Sequence, residues 1–160
     1  MTVQLLSTVE ETRAFGRALG GVLRAGDLVV LTGPLGAGKT VLAQGIGAGL
    51  GVAGEVTSPT FVIARVHRPD PALGGRVPMV HVDAYRLGAA PDPRAEVDDL
   101  DLDASVEESV TVVEWGEGVV EQLADAYLQV CIDRREDDAR LVELVPRGGF
   151  RPVGELVRCS

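Results

Sequence analysis

The sequence has few cysteines, no long apolar stretch and little positive charge, and each of these absences excludes a class of protein. Its two cysteines, Cys131 and Cys159, make neither a disulfide framework nor a metal-binding motif, so both are expected to be reduced thiols. The apolar runs are too short to cross a bilayer. The N-terminus lacks a basic segment and carries acids early, at Glu10 and Glu11, which predicts no signal peptide. Together these features predict a cytoplasmic protein.

Positive charge is scarce, since the formal net charge is −9 and Lys39 is the one lysine among 15 lysine and arginine residues. A chain of this charge repels polyanions at long range, so it is a poor candidate for binding nucleic acid alone. Any anion it binds must be held by local structure. The length of 160 residues and the hydrophobic content of 46% predict one globular domain spanning residues 1–160.

One stretch is built to hold such an anion. Residues 28–40 read LVVLTGPLGAGKT and match the phosphate-binding motif G-x-x-x-x-G-K-[ST]. The apolar run at its start predicts a strand buried on both faces, and Leu42, Ile46 and Leu50 follow at helical spacing. Strand, glycine-rich loop and helix in this order are the context that the motif requires.

Each residue type in the motif has a physical role. The glycines allow backbone conformations in which successive amides point at one anion, and the helix N-terminus adds positive partial charge. Lys39 is expected to reach the β- and γ-phosphates, and Thr40 is expected to place its hydroxyl on Mg²⁺. Arginine does not replace a compact ammonium at such a site, which agrees with a lone lysine there.

Two later apolar strands end in acids. The strand MVHVD ends at Asp83 and the strand VTVVE ends at Glu114. Ligands of open α/β sheets gather at the carboxyl ends of strands, so Asp83 is expected to bind Mg²⁺ or its water. His81 alternates onto the same strand face as Asp83, but no further histidine or cysteine cluster supports a transition-metal site.

Two polar segments have open interpretations. The hydroxyls of Thr57, Ser58 and Thr60 are either a polar turn or a loop that senses the γ-phosphate. The acidic segment 96–108 is either a solvated helical face or a docking surface for a basic partner.

The rest of the chain alternates between helical and strand patterns. Residues 2–6 predict a strand, and Ser7 with Glu10 predicts a capping box for a helix that Gly20 and Gly21 weaken. Residues 61–66 and, after a hairpin-like loop at 67–77, residues 79–83 predict strands. Residues 128–133 and 140–144 predict a hairpin at the edge of the sheet, and short helices are expected near 119–124 and 153–157. The residues expected to be buried on the first helix are Val9, Phe15, Leu19, Val22 and Leu23.

Four motifs in this order resemble those of the TsaE family: GPLGAGKT, VTSPTF at 56–61, HVDAYR at 81–86 and VEWGE at 113–117. The resemblance covers essentially the whole chain, and the last three motifs make it specific. TsaE proteins are bacterial ATPases required for threonylcarbamoyladenosine formation in tRNA. The resemblance implies an α/β fold, a P-loop NTPase-like domain with a mixed parallel and antiparallel sheet flanked by helices. It also implies ATP and Mg²⁺ as cofactors and TsaB and TsaD as partners, with tRNA bound only through the complex.

The motif and the resemblance together give the expected site. The residues expected to act in hydrolysis are Lys39, Thr60, Asp83 and Glu114, and those expected to serve the metal are Thr40, Asp83 and Glu114. The residues expected to contact the nucleotide are Gly33, Pro34, Leu35, Gly36, Ala37, Gly38, Lys39, Thr40, Val41 and Trp115.

Three functions compete on this site. The leading one is ATP hydrolysis that drives a tRNA-modifying assembly without catalysing the carbamoyl transfer itself. A small-molecule kinase could use the same loop, although the sequence shows no clear acceptor pocket. A nucleotide-dependent assembly switch with little turnover is the third.

Overall fold

The computed structural model describes residues 2–33, 38–52, 64–83, 108–114, 126–135 and 139–151, and for residues 2, 64, 65 and 83 the backbone alone. The expectations for the hydroxyl-bearing loop, for the acidic segment up to residue 107 and for the two short helices lie outside these residues. In chain order the elements are β1 (Thr2–Leu6), α1 (Val9–Val22), β2 (Leu28–Thr32), α2 (Lys39–Leu50), β3 (Ala64–His67), a 3-10 turn (Pro71–Leu73), β4 (Met79–Asp83), β5 (Val110–Glu114), β6 (Tyr127–Arg134) and β7 (Arg140–Arg147).

Within the described residues, seven strands form one sheet in the order β1-β7-β6-β2-β5-β4-β3. The central strands β6, β2, β5 and β4 run parallel. On one side β3 pairs antiparallel with β4, and on the other β7 pairs antiparallel with β6 and β1 with β7. This arrangement confirms the expected mixed α/β sheet. Because parallel strands end at the same edge, the four central strands bring their carboxyl ends together there.

The core lies between the sheet and the two helices. Leu19 of α1, Ile46 of α2 and Leu31 of β2 are fully buried members of one apolar cluster. Leu42 and Leu50, which were noted for their helical spacing with Ile46, are also buried. This packing fixes α2 against the sheet. Neither α1 nor α2 is long and apolar enough to cross a membrane.

Helices α1 and α2 cross through glycines, closer together than side chains would allow. A Cβ on Gly20 would lie 2.4 Å from the carbonyl oxygen of Ile46, and one on Gly45 would lie 2.4 Å from a carbonyl oxygen of α1. Gly16 and Gly49 are confined in the same way. The sequence interpretation of Gly20 as a weak point in α1 therefore missed its role as a packing contact.

The start of α1 corrects the predicted capping box by one residue. Thr8, not Ser7, is the N-cap, because its backbone is extended and its hydroxyl accepts a hydrogen bond from Glu11 N at 3.0 Å. The Glu11 carboxylate in turn accepts from Ser7 N at 2.5 Å, a role predicted for Glu10. Val9 was expected to be buried but is 49% exposed in the first turn. Burial within α1 begins at Thr12.

The hairpin of β6 and β7 is present but does not lie at the sheet edge, so that part of the prediction was wrong. β6 pairs with the central strand β2, and β7 is covered by β1 through pairs such as Thr2 with Leu144. The amino-terminal strand thus forms the edge on this side. Local alternation predicts a hairpin but carries no signal for the strand that returns to cover it.

Candidate nucleotide site at the carboxyl edge of the sheet

The backbone between β2 and α2 is shaped by two glycines. Gly33 follows β2 with φ +151°, and a Cβ there would lie 2.2 Å from the carbonyl oxygen of Ile132 on β6. Gly38 is the N-cap of α2 with φ +106° and makes no side-chain capping bond. An anion site at a helix N-terminus requires first-turn amides that no side chain caps, and residue 38 supplies no such cap to α2. Residues 34–37 lie outside the described part of the chain.

Lys39 begins α2 and is 5% exposed. Its Nζ donates a hydrogen bond to the carbonyl oxygen of Gly33 at 2.7 Å, so the ammonium folds back over the end of β2. A buried ammonium needs negative or strongly accepting partners, and the phosphates of a nucleotide would supply them. Thr40 and Val41 follow in the same turn and are partly buried. The residues present thus fit an anionic ligand.

Both acids predicted for the site lie at this edge, on adjacent strands. Asp83 is the last residue of β4 and pairs in register with Glu114, the last residue of β5. Glu114 also pairs with Leu31 near the end of β2. Neighbouring strands are about 4.8 Å apart, so this register brings the two acidic positions together beside the end of β2. The Asp83 side chain lies outside the described atoms, as do Thr60 and Trp115.

A buried histidine contacts Glu114, and the sequence interpretation missed this pair. His81 on β4 is fully buried, and its Nε2 lies 2.5 Å from Oε2 of Glu114, whose side chain is 6% exposed. Its Nδ1 has no hydrogen-bond partner among the described residues. The alternation of His81 with Asp83, combined with parallel pairing of β4 and β5, was the available signal. The sequence alone did not show that those two strands are neighbours.

Two of the side chains predicted to serve a metal, those of Thr40 and Glu114, carry oxygen ligands. Within the described residues, no three His, Cys, Asp or Glu side chains are grouped closely enough to hold a metal ion. Magnesium commonly uses one or two carboxylates and completes its shell with water and substrate phosphates. The hydroxyl of Thr40 and the carboxylate of Glu114 are oxygen ligands of this kind. The residues present therefore fit Mg²⁺ together with a nucleotide.

The fold and the site define the class of this protein: an α/β protein that carries the sequence GPLGAGKT between a central parallel strand and the helix that follows it. Comparison with known proteins gives the family. The model described as "Threonylcarbamoyl adenosine biosynthesis protein TsaE" matches residues 6–142. The chain belongs to the TsaE family.

Individual relatives agree with this assignment. The chain is similar to a "tRNA threonylcarbamoyladenosine biosynthesis protein TsaE" of Streptomyces coelicolor, 60% identical over 126 residues, which cover 79% of this chain and 81% of the relative. A protein of the same name from Bacillus subtilis is 36% identical over 140 residues, covering 87% and 82%. The crystal structure of Bacillus subtilis YdiB matches with a TM-score of 0.77 and 30% identity, over 98% of this chain and 94% of YdiB.

Proposed function

We propose that this chain is the ATP-binding and hydrolysing subunit of the bacterial machinery that forms N6-threonylcarbamoyladenosine in tRNA. In this proposal it acts with TsaB and TsaD and does not catalyse the carbamoyl transfer itself. The family is named for threonylcarbamoyl adenosine biosynthesis, which supports the process. The observation that supports hydrolysis is the buried Lys39 at the N-terminus of α2, beside the edge at which Glu114 ends β5.

The chemistry rests on positioning and charge neutralisation. Lys39 and the amides of the first turn of α2 would bind the phosphates and offset their charge as the γ-phosphoryl group is transferred. Thr40, Asp83 and Glu114 would hold Mg²⁺ and orient the attacking water. When bound there, Mg²⁺ would help to neutralise the charge of the phosphates. By resemblance, Thr60 and Trp115 shape the nucleotide site.

Removing either proposed acid should strongly lower turnover while leaving the fold intact. Glu114→Gln and Asp83→Asn keep the side-chain size but remove the charge, so ATP turnover should fall by about 10²-fold or more. The matched control is Glu108→Gln, because Glu108 is exposed in the turn just before β5. Phosphate release is measured for all four proteins, with thermal unfolding as the check on folding. Normal turnover in either variant removes that acid from the proposed site.

Phosphate release also separates ATP hydrolysis from the competing functions. The chain is assayed with ATP and Mg²⁺, alone and with TsaB and TsaD, and ATP binding is measured in parallel. Release of inorganic phosphate that rises with the partners supports the proposal. Transfer of phosphate to an added small molecule instead of water indicates a kinase. Tight ATP binding without release in either condition indicates an assembly switch.

A further inference from the structure

His81 and Glu114 form a polar pair inside the central sheet, on the two strands that end at the proposed site. We infer that His81 is a positioning residue for ATP hydrolysis, which holds the Glu114 carboxylate in one orientation through a hydrogen bond from Nε2 to Oε2. This inference rests on the proposed function, because Glu114 acts on Mg²⁺ or water only within it.

The short contact between His81 and Glu114 is a hydrogen bond. A distance of 2.5 Å between His81 Nε2 and a carboxylate oxygen requires a hydrogen between them, since two bare acceptors would repel at that range. We take the Nε2–H tautomer, in which His81 donates and the carboxylate of Glu114 accepts. In this tautomer Nδ1 is an acceptor, and it has no hydrogen-bond partner among the described residues.

Holding one oxygen matters for a glutamate because its last torsion is broad. An unanchored carboxylate rotates among many orientations, whereas one fixed at Oε2 presents Oε1 in a defined direction. Both residues stand on central strands of the sheet rather than on loops, which adds precision to the anchor. Val82 and Val112 beside the pair are fully buried, so water has little access to compete for the bond.

Stability alone does not explain a histidine at position 81. A fully buried ring with one nitrogen that no described residue bonds costs free energy that an apolar side chain would avoid. Buried polar pairs are often replaceable by apolar residues without loss of stability. Groups that orient a catalytic or metal-binding side chain, in contrast, typically contribute 10- to 100-fold to metal affinity or activity.

Three substitutions at position 81 separate positioning from packing. In His81→Gln the amide nitrogen can reach the place of Nε2, whereas in His81→Asn it falls short by one methylene and in His81→Leu there is no donor. We expect His81→Asn and His81→Leu to lower kcat for ATP by about 10- to 100-fold. KM should change little, because Lys39 and the helix amides remain. We expect His81→Gln to recover most of the lost turnover.

The control is Thr111→Val, at a position on β5, the same strand as Glu114. Thr111 is fully buried with a hydroxyl that has no partner in the described part of the chain, so this change also removes a buried polar atom from the same layer of strands. Its turnover should equal that of the parent. If His81→Asn and His81→Gln turn over equally, the inference is wrong, and this comparison holds even if His81→Leu does not fold.

Nuclear magnetic resonance tests the pair without nucleotide. The chain has two histidines, so the Nε2 proton of His81 can be assigned as the signal lost in His81→Gln. A downfield, slowly exchanging Nε2 proton that shifts in Glu114→Gln supports the pair, and an Nδ1–H tautomer overturns it. A parent chain that hydrolyses no ATP overturns the proposed function and any role for His81 in turnover. The resonance would still show whether the pair itself exists.

Discussion

Lys39 carries the charge of the proposed phosphate site, and its surroundings are unusual for a lysine. Lysine is rarely buried, yet this side chain is 5% exposed and donates to a backbone carbonyl at the end of β2. The hydrogen bond to Gly33 holds the ammonium at the carboxyl end of β2, where the proposed nucleotide would bind. A phosphate would add charge-assisted hydrogen bonds to an ammonium already placed for them.

Because Lys39 is the only lysine, an amine-directed reagent can report on this one site. With Mg-ATP at about ten times its Kd, labelling of Lys39 should fall by about tenfold, because the phosphates occupy its ammonium. Mass spectrometry of the peptide that contains Lys39 measures this, with the α-amine of Met1 as the internal control. Equal labelling of Lys39 with and without Mg-ATP would contradict its contact with phosphate.

At the scale of elements, the crossing of α1 and α2 decides how α2 is held over the sheet. Gly16 and Gly20 of α1 meet Gly45 and Gly49 of α2, with almost no room for a methyl group at any of them. The cost of glycine in a helix, about 0.5–1 kcal/mol each, is offset here by close packing of the two backbones. Displacing α2 would also displace Lys39 at its first turn.

Two neighbouring glycines of α1 should therefore respond to alanine in opposite directions. Gly20→Ala puts a Cβ against the carbonyl oxygen of Ile46 and should lower the free energy of unfolding by about 1–3 kcal/mol. Gly21→Ala meets no atom within 4 Å and should raise it by about 0.5 kcal/mol through helix propensity. Urea denaturation measures both. If Gly20→Ala leaves the free energy of unfolding unchanged, the two helices can move apart without cost.

At the scale of the whole molecule, Arg151 ties the end of the described chain back to the turn between α1 and β2. Its guanidinium donates two hydrogen bonds to the Asp27 carboxylate, at 2.7 and 2.8 Å, and one to the carbonyl oxygen of Val22 at 2.9 Å. It also stacks over Phe150. The hydrogen bond to Asp27 raises the pKa of Arg151 against the opposing effect of burial. Since a group with a raised pKa stabilises the fold at pH values below that pKa, this contribution is present at neutral pH.

Removing the Arg151–Asp27 ion pair should destabilise the fold. Arg151→Leu leaves the nearly buried Asp27 carboxylate without its bidentate partner and should lower the free energy of unfolding by about 2 kcal/mol. Arg135→Leu is the control, because Arg135 lies 3.9 Å from Asp133 and both side chains are more than half exposed. Such pairs contribute little. Equal unfolding midpoints in urea for the two variants would mean that the Arg151–Asp27 ion pair does not stabilise the fold.

The net charge of −9 predicts how the whole chain behaves toward tRNA. Alone, it should bind tRNA with a Kd weaker than about 10⁻⁴ M at physiological salt, because it has too little positive charge to displace counterions. Fluorescence anisotropy with labelled tRNA, with and without TsaB and TsaD, measures this. Tight binding by the isolated chain would contradict an indirect role in tRNA recognition.

The sequence by itself determined the features that depend on neighbouring residues. The strand–loop–helix around Lys39, the bounds of β1 and β4, and the placement of Asp83 and Glu114 at strand ends were all predicted from local patterns. Apolar periodicity and the glycine-rich motif are properties of short windows, so one sequence suffices to see them. The same motifs supported the TsaE family.

Only the tertiary structure decided which distant segments meet. The contact of His81 with Glu114, the glycine crossing of α1 and α2, and the cover that β1 gives to β7 each join residues far apart in the chain. The one-residue error in the N-cap of α1 has a local cause. Ser7 and Thr8 are both good capping residues, and the backbone geometry selects Thr8. Strand order sets the partners of His81, and strand order follows from how the whole sheet packs against its helices rather than from any short stretch of sequence.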